Sequence, residues 1–340
     1  MPIGSTNISF SDLRTEYVGG NNNSVSFSQL YRSGSNILEP TVGGLTNAAA
    51  SVPTSGVISL DDFKNTARAF RKTYSSNATN QDASTVFGSD YAVDYPKQII
   101  INNGVELGAT STSNEALQID TGLAGSISIT NNGTITGAGG AAGAAGGDAF
   151  EADVACTLVN NGTIRSGGGG GGTGGSGSQT TTASATTYYL LQNASGSCTD
   201  NGFPSGSGQS TTNVNSTCPN PYSGYDGYSQ GVFQYINYQN SGGDSNNCQI
   251  KCYRKGQTTS NTSGGAGGVG AGYGQSAGGG SSGGTAAGSG GAGGAFGTTG
   301  STGANGSVSN GSAGGSAGNA ITGISNVTLT NTGTITGPQA

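Results

Sequence analysis

The sequence has no histidine and no tryptophan, and only 8% of its 340 residues are charged, compared with about 25% in a typical globular domain. Without histidine, the commonest general base and metal ligand of proteins is absent. The chain has 11 Lys and Arg against 17 Asp and Glu, so it lacks the basic surface of a nucleic-acid-binding protein. No apolar run reaches the length of about 18 residues that spans a membrane, and no signal-peptide pattern follows Met1. We therefore expect no nucleic-acid partner and no classical cleaved export signal.

The carboxylates are sparse and scattered. Glycoside hydrolysis needs two carboxyl groups that face each other across the bond that is cut. Glu106 with Glu115 and Asp120, or Glu151 with Asp153, could be proposed as such pairs, but their spacing does not indicate it. The sequence therefore predicts no catalytic residues, no cofactor and no metal site, and we expect the chain not to be an enzyme.

Three related phrases lie in the first 75 residues: ISFSDL (8–13), VSFSQL (25–30) and ISLDDF (58–63). In each, a Ser is followed three positions later by Asp or Gln, the capping-box arrangement that begins a helix, and apolar residues occupy the hydrophobic-staple positions. The pattern predicts three short capped helices. Phe63, Ala67, Phe70 and Tyr74 would share one face of the third, so this helix is expected to be the longest.

Such an apolar face packs either against the rest of its own domain or against a partner. Because the segment is small and its helices are short, we interpret residues 1–75 as a docking segment that a neighbouring protein completes. The candidate docking side chains are Leu13, Leu30, Phe63 and Phe70.

A second repeat family begins near Tyr95. Its copies are IIINNGVELG (99–108), ITNNGTITGAGG (129–140), LVNNGTIRSGGG (158–169) and LTNTGTITGPQA (329–340), each a strand-like stretch that runs into a turn with glycine. The Asn-Gly pairs of the first three begin at Asn103, Asn132 and Asn161, a constant spacing of 29 residues. A fixed spacing of this size predicts stacked repeats. A long insertion separates the third copy from the fourth.

The glycine-rich stretch 264–318 allows two interpretations. Gly/Ser-rich chains commonly act as flexible linkers. However, apolar strands interrupt the glycine, and Gly297, Gly300, Gly303 and Gly306 recur at every third residue, the period of the polyproline-II helix. Proline is too scarce here for collagen. We favour a bundle of glycine-rich polyproline-II helices, joined by backbone hydrogen bonds and pinned at its ends by the repeated strands.

The insertion, residues 179–263, contains most of the tyrosines and a small basic stretch, KCYRKG (251–256). Tyrosine is favoured in binding loops because it offers a large, rigid, amphipathic contact. These aromatics would contact a cell-surface glycan or a loop of an outer-membrane protein, or else form the small core of the insertion itself. The candidate binding residues are Tyr222, Tyr225, Tyr228, Phe233, Tyr235, Tyr238, Lys251 and Arg254.

Four of the five cysteines lie in the same insertion. Disulfides Cys198–Cys218 and Cys248–Cys252 would stabilise a region poor in apolar residues. A four-cysteine zinc site is the alternative, but the sequence has only one short CxxxC pair. Cys156, outside the insertion, is expected to be a buried small apolar side chain.

The interleaving of glycine-rich runs, short strands and variable loops resembles the distal tail-fibre adhesins of T-even-like bacteriophages. The N-terminal phrases, ISFSDL to ISLDDF, are similar to the N-termini of phage virion proteins, especially those of marine phages. The resemblance implies a sandwich of glycine-rich polyproline-II helices with receptor-binding loops at one end. It also implies partners among other tail or head proteins and on the host surface. A homotrimer is one expectation for a fibre, and a single chain on a trimeric stalk is the other.

We therefore predict a mainly β and irregular fold: a helical docking segment (1–75), strand and glycine repeats (76–178), the insertion (179–263), and a polyproline-II tract with a closing repeat (264–340). The expected function is that of a virion fibre or adhesin exposed on the particle. The alternatives are a purely structural virion protein, such as a head fibre or connector, and a secreted glycine-rich matrix protein.

Overall fold

The structure, a computed structural model, describes residues 3–18, 26–182 and 257–340, together with the strands at 187–190, 194–195, 233–240 and 247–254. The chain divides into two units, Met1–Gly177 with Ser263–Ala340, and Ser178–Thr262. Within the described residues, strands far outnumber helices, which confirms the mainly β class. No helix among these residues is both long enough and apolar enough to cross a bilayer.

The helices of the larger unit are short. They are α1 (Phe10–Val18), α2 (Ala83–Phe87) and the 3-10 helices Phe27–Leu30, Leu60–Phe63, Gly88–Ala92 and Ile324–Asn326. Its strands up to the insertion are β1 (Thr46–Asn47), β2 (Phe70–Tyr74), β3 (Ala78–Thr79), β4 (Gln81–Asp82), β5 (Lys97–Ile101), β6 (Glu106–Gly108), β7 (Leu117–Ile119), β8 (Ile127–Asn131), β9 (Thr134–Thr136), β10 (Phe150–Ala152), β11 (Cys156–Asn160) and β12 (Thr163–Arg165).

The smaller unit contains β13 (Gly177–Thr182, whose first residue belongs to the larger unit), β14 (Thr187–Leu190), β15 (Ala194–Ser195), β16 (Phe233–Asn240), β17 (Asn247–Arg254) and β18 (Gln257–Thr262). β13 pairs with β18, while β17 pairs antiparallel with β14, β15 and β16. The larger unit then resumes with β19 (Ile321–Thr322), β20 (Val327–Asn331) and β21 (Thr334–Thr336).

Capping bonds begin the three N-terminal helices. The backbone N–H groups of Ser9, Ser26 and Ser59 donate to the side chain three residues later, at 2.7, 3.0 and 2.7 Å respectively. These bonds satisfy N–H groups at the helix start that would otherwise lack a partner. The helices surround a small separate core that contains Leu13, Tyr17, Leu30, Ile37, Val52 and Phe63.

The predicted long third helix is wrong. The chain makes one helical turn that ends at Phe63, and Phe70 to Tyr74 form β2. The side chains of Phe70 and Tyr74 are both buried, because a spacing of four places two residues on one face of a strand as well as on one face of a helix. Pairing of β2 with β1 and β5 decides between the two, since tertiary context overrides a weak local preference.

The 29-residue repeat is one coil of a three-sided parallel β-solenoid. Its coils place their strands in three sheets, of strand order β1-β2-β5-β8-β11-β20, β21-β12-β9-β6-β3 and β19-β10-β7-β4. Leu158 pairs with Ile129 of the preceding coil and with Leu329 of the following one. The core consists of inward columns of such residues, among them Ile99, Ile129, Leu158, Leu107, Ile135, Ile164, Leu117, Phe150 and Ile321.

The Asn-Gly pair marks a corner of the coil and not a hairpin. β8 pairs with β5 and β11, whereas β9, just beyond the turn, pairs with β6 and β12 in another sheet. A β-carbon at Gly162 would collide with the carbonyl oxygen of Gly133 in the coil below. Glycine is therefore required here because stacked corners approach each other closely.

The glycine-rich residues between coils are ordered by backbone hydrogen bonds that repeat every third residue. Gly168, Gly171 and Gly174 donate to the carbonyls of Ala271, Gly268 and Gly265 at 2.8, 2.7 and 2.8 Å. Their neighbours Gly169, Gly172 and Gly175 donate to Thr298, Ser301 and Ala304 at 3.0, 2.9 and 2.9 Å. Successive residues of segment 166–176 thus bond to different neighbouring segments.

Candidate functional site

The predicted recognition residues fall in the smaller unit. Tyr222, Tyr225 and Tyr228 lie outside the described residues, as do Cys198 and Cys218. Phe233, Tyr235 and Tyr238 belong to β16, and Lys251 and Arg254 belong to β17.

The register of β16 and β17 brings the aromatic stretch and the basic stretch together. Phe233 pairs with Arg254, Tyr235 with Cys252, and Tyr238 with Ile250, with a register shift between the two tyrosines. On the other side of β17, Leu190 of β14 pairs with Lys251. Two stretches that the sequence shows as separate patches therefore belong to one antiparallel sheet.

Cys248 and Cys252 both belong to β17. The Cys248–Cys252 disulfide stays a prediction. Cys156 lies in β11, and burial of its thiol raises the pKa to about 11. That thiol is a small apolar core side chain, which agrees with the expectation from the sequence.

The four candidate docking side chains are buried within the chain itself. Leu13, Leu30 and Phe63 belong to the small N-terminal core, and Phe70 belongs to the solenoid core. The prediction that these four residues form docking contacts is therefore corrected, because their side chains are already used in internal packing.

The N-terminal segment exposes a different pair of aromatic side chains. Phe10 and Phe27 are 53% and 51% exposed, and their rings meet edge to face with centroids 5.7 Å apart. Each is the residue directly after the capping Ser in its phrase. This equivalence was the available sequence signal, because the last residues of the same phrases, Leu13 and Leu30, are the ones that become buried.

Carboxylates line one side of the solenoid. Asp82 and Asp120 both accept the backbone N–H of Ser84, at 2.7 and 3.3 Å. Burial, and then the hydrogen bond with Asp82, raise the pKa of Asp120 to about 6. Burial opposes ionisation of Asp82, but hydrogen bonds from Asp120, Ser84 and Thr85 outweigh it and lower the pKa of Asp82. These opposite directions assign the proton of the pair to Asp120, at pH values below about 6.

Other carboxylates of this unit are held in structural contacts or are partly buried. Glu106 forms an ion pair with Arg165 at 3.0 Å. Burial raises the pKa of Glu115 and of Glu151. Among the described residues, no group of three or more His, Cys, Asp or Glu side chains is placed to hold a metal ion.

The sequence model of the phage tail fibre adhesin Gp38 family matches residues 69–340. The chain belongs to this family. The match takes in the solenoid, the glycine-rich segments and the insertion, and it leaves out residues 1–68, which hold the small N-terminal core. The predicted resemblance to phage tail-fibre adhesins is thereby confirmed.

Among solved structures, the chain is similar to one in the crystal structure of the gp37-gp38 adhesin tip complex of the bacteriophage S16 long tail fiber. The two share 16% sequence identity with a TM-score of 0.40, over 84% of this chain and 88% of that one. No curated protein sequence matches the chain.

Proposed function

We propose that the chain is the host-recognition protein of a phage tail fibre and that it binds the host surface through the insertion, residues 179–263. The observation that carries this proposal is the pairing of β16 with β17, which places Phe233 beside Arg254 and Tyr235 beside Cys252. A sheet that combines aromatic and cationic residues suits a glycan or an acidic loop of an outer-membrane protein. The role is binding without catalysis, as in an adhesin.

In this proposal the glycine-rich segments are a bundle of polyproline-II helices that carries the insertion. The three-residue period of their hydrogen bonds is the period of that helix. At most positions of these segments a β-carbon would collide with a neighbouring backbone, as at Gly171 against the carbonyl of Gly291. The scaffold is therefore held by close backbone approach, and burial of side chains contributes little.

The N-terminal segment, residues 1–68, is proposed to attach the chain to another tail-fibre protein. Two observations support this: it has its own core, and it lies outside the part that the family shares. The exposed pair Phe10 and Phe27 is then the contact, in place of the buried side chains first considered. Sedimentation of the purified chain distinguishes a single copy from the homotrimer that a fibre would also allow.

The recognition proposal is tested by replacing residues 219–240 with a Gly/Ser loop of equal length. Particles should assemble and carry the variant, yet lose adsorption to host cells. Deleting residues 1–68, which removes β1 but keeps β2 and its pairing with β5, should give particles that lack the chain altogether. Normal adsorption by the loop variant would refute recognition through the insertion, and incorporation of the truncated chain would refute attachment through the N-terminal segment.

A further inference from the structure

Two aromatic side chains of the glycine-rich segments pack on the solenoid. Residues 263–318 contain only two aromatics, Tyr273 and Phe296. They lie in the two turns, 272–275 and 295–298, at which the glycine segments return beside the solenoid. The opposite turns, 284–287 and 306–309, contain no aromatic residue.

Tyr273 packs on Gly108 at the end of β6. Its ring lies where the β-carbon of any other residue at position 108 would be, and its backbone N–H donates to the carbonyl of Gly137 at 3.1 Å. Gly272 and Gln275 exchange two backbone hydrogen bonds of 2.9 Å, which close the turn around the tyrosine. Tyr273 therefore joins the turn 272–275 to one position of the sheet.

Phe296 packs against Arg165 at the end of β12. The guanidinium carbon lies 3.9 Å from the centroid of the ring, a cation–π contact. Glu106 holds the same guanidinium through an ion pair of 3.0 Å, and Thr136 accepts from its Nε at 3.0 Å. The cation is thus fixed from behind by two coils of the solenoid while it presents its face to the phenyl ring.

The two contacts are a fixed distance apart on one column of the sheet. Gly108 pairs with Thr136, and Thr136 with Arg165, so the positions under Tyr273 and Phe296 are two strands apart. Two strand spacings amount to about 10 Å. The strand spacing of the sheet therefore fixes the distance between the two turns.

This fixed distance is important because the glycine segments by themselves only weakly determine their register relative to one another. A segment in which every third residue is glycine makes nearly the same backbone bonds after a shift of three residues, as polar or glycine-rich strands do when their register slips. Segment 288–297 shows this uniformity: Gly288, Gly291 and Gly294 make equivalent bonds to Gly175, Gly172 and Gly169, at 2.9, 2.8 and 2.8 Å. Hydrogen bonding alone does not select which residues form the turns.

We propose that Tyr273 and Phe296, seated on Gly108 and Arg165, set the register of the glycine segments. They are positioning residues: they select one of several alignments, three residues apart, that backbone hydrogen bonding would otherwise accept almost equally. This inference does not depend on what the insertion binds.

Disulfide trapping in the full-length chain tests the proposal. In the native register the N–H of Ala304 donates to Ser289 at 2.8 Å, so the pair Ser289→Cys with Ala304→Cys should cross-link on mild oxidation. A turn shifted three residues towards the N-terminus, to 292–295, would bring Ser289 beside Thr298 instead. The pair Ser289→Cys with Thr298→Cys therefore reports slippage. All three side chains are exposed. Mass spectrometry of the joined peptides separates these links from those of the native cysteines.

Slipped cross-links should be scarce in the parent and rise several-fold with Phe296→Ala, while native cross-links fall. Phe296→Tyr, which keeps the ring, should restore the parental pattern, and Arg165→Ala should slip like Phe296→Ala. Leu158→Ala, a cavity in the solenoid core, is the control for general loosening. The proposal is overturned if Phe296→Ala leaves the slipped pair at the parental yield, or if Leu158→Ala raises it equally.

Discussion

The side-chain amide of Asn160 donates to the side-chain oxygen of Asn331 at 2.7 Å, across 171 positions of sequence. Asn131 donates in the same way to Asn160 at 2.8 Å. The three asparagines occupy one corner of three successive coils, and the side chains of Asn131 and Asn160 are fully buried. The last coil is therefore aligned on the coil that the chain left before the insertion.

Replacing Asn160 with Ala should destabilise the solenoid by about 1–3 kcal/mol, because the buried amide of Asn131 loses one of its two acceptors. Asn161→Ala is the matched control. Asn161 is the next residue and also bonds to its counterpart, Asn132, at 3.0 Å, but it is exposed. Its loss should cost less than about 0.5 kcal/mol. Urea unfolding of both variants measures the difference, and equal costs would contradict the role given to the buried ladder.

Substitution of glycine should depend on backbone approach and not on the residue type alone. At Gly303 a β-carbon would meet the carbonyl of Thr173, and at Gly279 it would meet nothing within 4 Å. Gly303→Ala should cost about 1–3 kcal/mol through overpacking, while Gly279→Ala should be neutral. Exchanging both Gly300 and Gly303 for Val should abolish protease resistance of residues 264–318. Equal resistance of all variants would identify these residues as a flexible linker.

The raised pKa of Asp120, beside Asp82, makes stability depend on pH. Because the pKa of Asp120 is raised from 3.8 to about 6, the folded chain binds more protons than the unfolded chain between these values. The contribution of this carboxyl is therefore complete below about pH 4 and is lost as the pH rises through about 6. After screening by solvent is allowed for, we expect a loss of about 1 kcal/mol.

Asp120→Asn should remove that part of the slope, so that the variant is at least as stable as the parent at pH 8. Glu115 and Glu151 contribute in the same direction, since burial raises their pKa values too, and a shallower slope should remain. Asp61→Asn, on an exposed side chain that pairs with Lys64, serves as the control. Thermal unfolding from pH 4 to 8 provides the measurement, and an unchanged slope in Asp120→Asn would refute the raised pKa of Asp120.

Stability and attachment should separate in the N-terminal segment. Leu13→Ala opens a cavity in the small core and should destabilise residues 3–68 by about 2–5 kcal/mol, seen as faster proteolysis of this segment. Phe10→Ser removes an exposed ring and should leave proteolysis unchanged. If Phe10 contacts a tail-fibre partner, only the second change lowers incorporation without loosening the segment. Incorporation equal to the parent would exclude Phe10 from the interface.

Repeat spacing was sufficient to predict that copies stack, because columns such as Ile129 and Leu158 require equal coil lengths on the sides that join them. The third side of the coil was not assigned to a sheet from the sequence. Between β9 and β10 lies a glycine-rich segment, 137–149, whereas a shorter connection, 109–116, joins β6 to β7. Because these connections differ, Leu117 and Phe150 pair although their spacing departs from the repeat of 29.

The docking residues show why the rest could not be predicted. An apolar residue at a staple position, such as Leu13, is equally suited to an internal core and to a partner. Whether Leu13 is buried in the chain depends on the apolar side chains around it, and these come from distant positions such as Ile37 and Val52. Likewise, pairing of β16 with β17 depends on contacts that no local pattern contains.

The N–H of Gly174 donates to the carbonyl of Gly265 at 2.8 Å, so the chain leaves for the insertion and returns from it at adjacent points. A loop whose ends are already held together gains or loses residues at a small entropic cost that grows only logarithmically with its length. The insertion can thus be replaced by another of different length or sequence without a change in the rest of the fold. Natural variation in length and composition should concentrate between positions 179 and 263. If the insertion binds the host as proposed, host range changes there while the solenoid and the glycine segments keep their sequence.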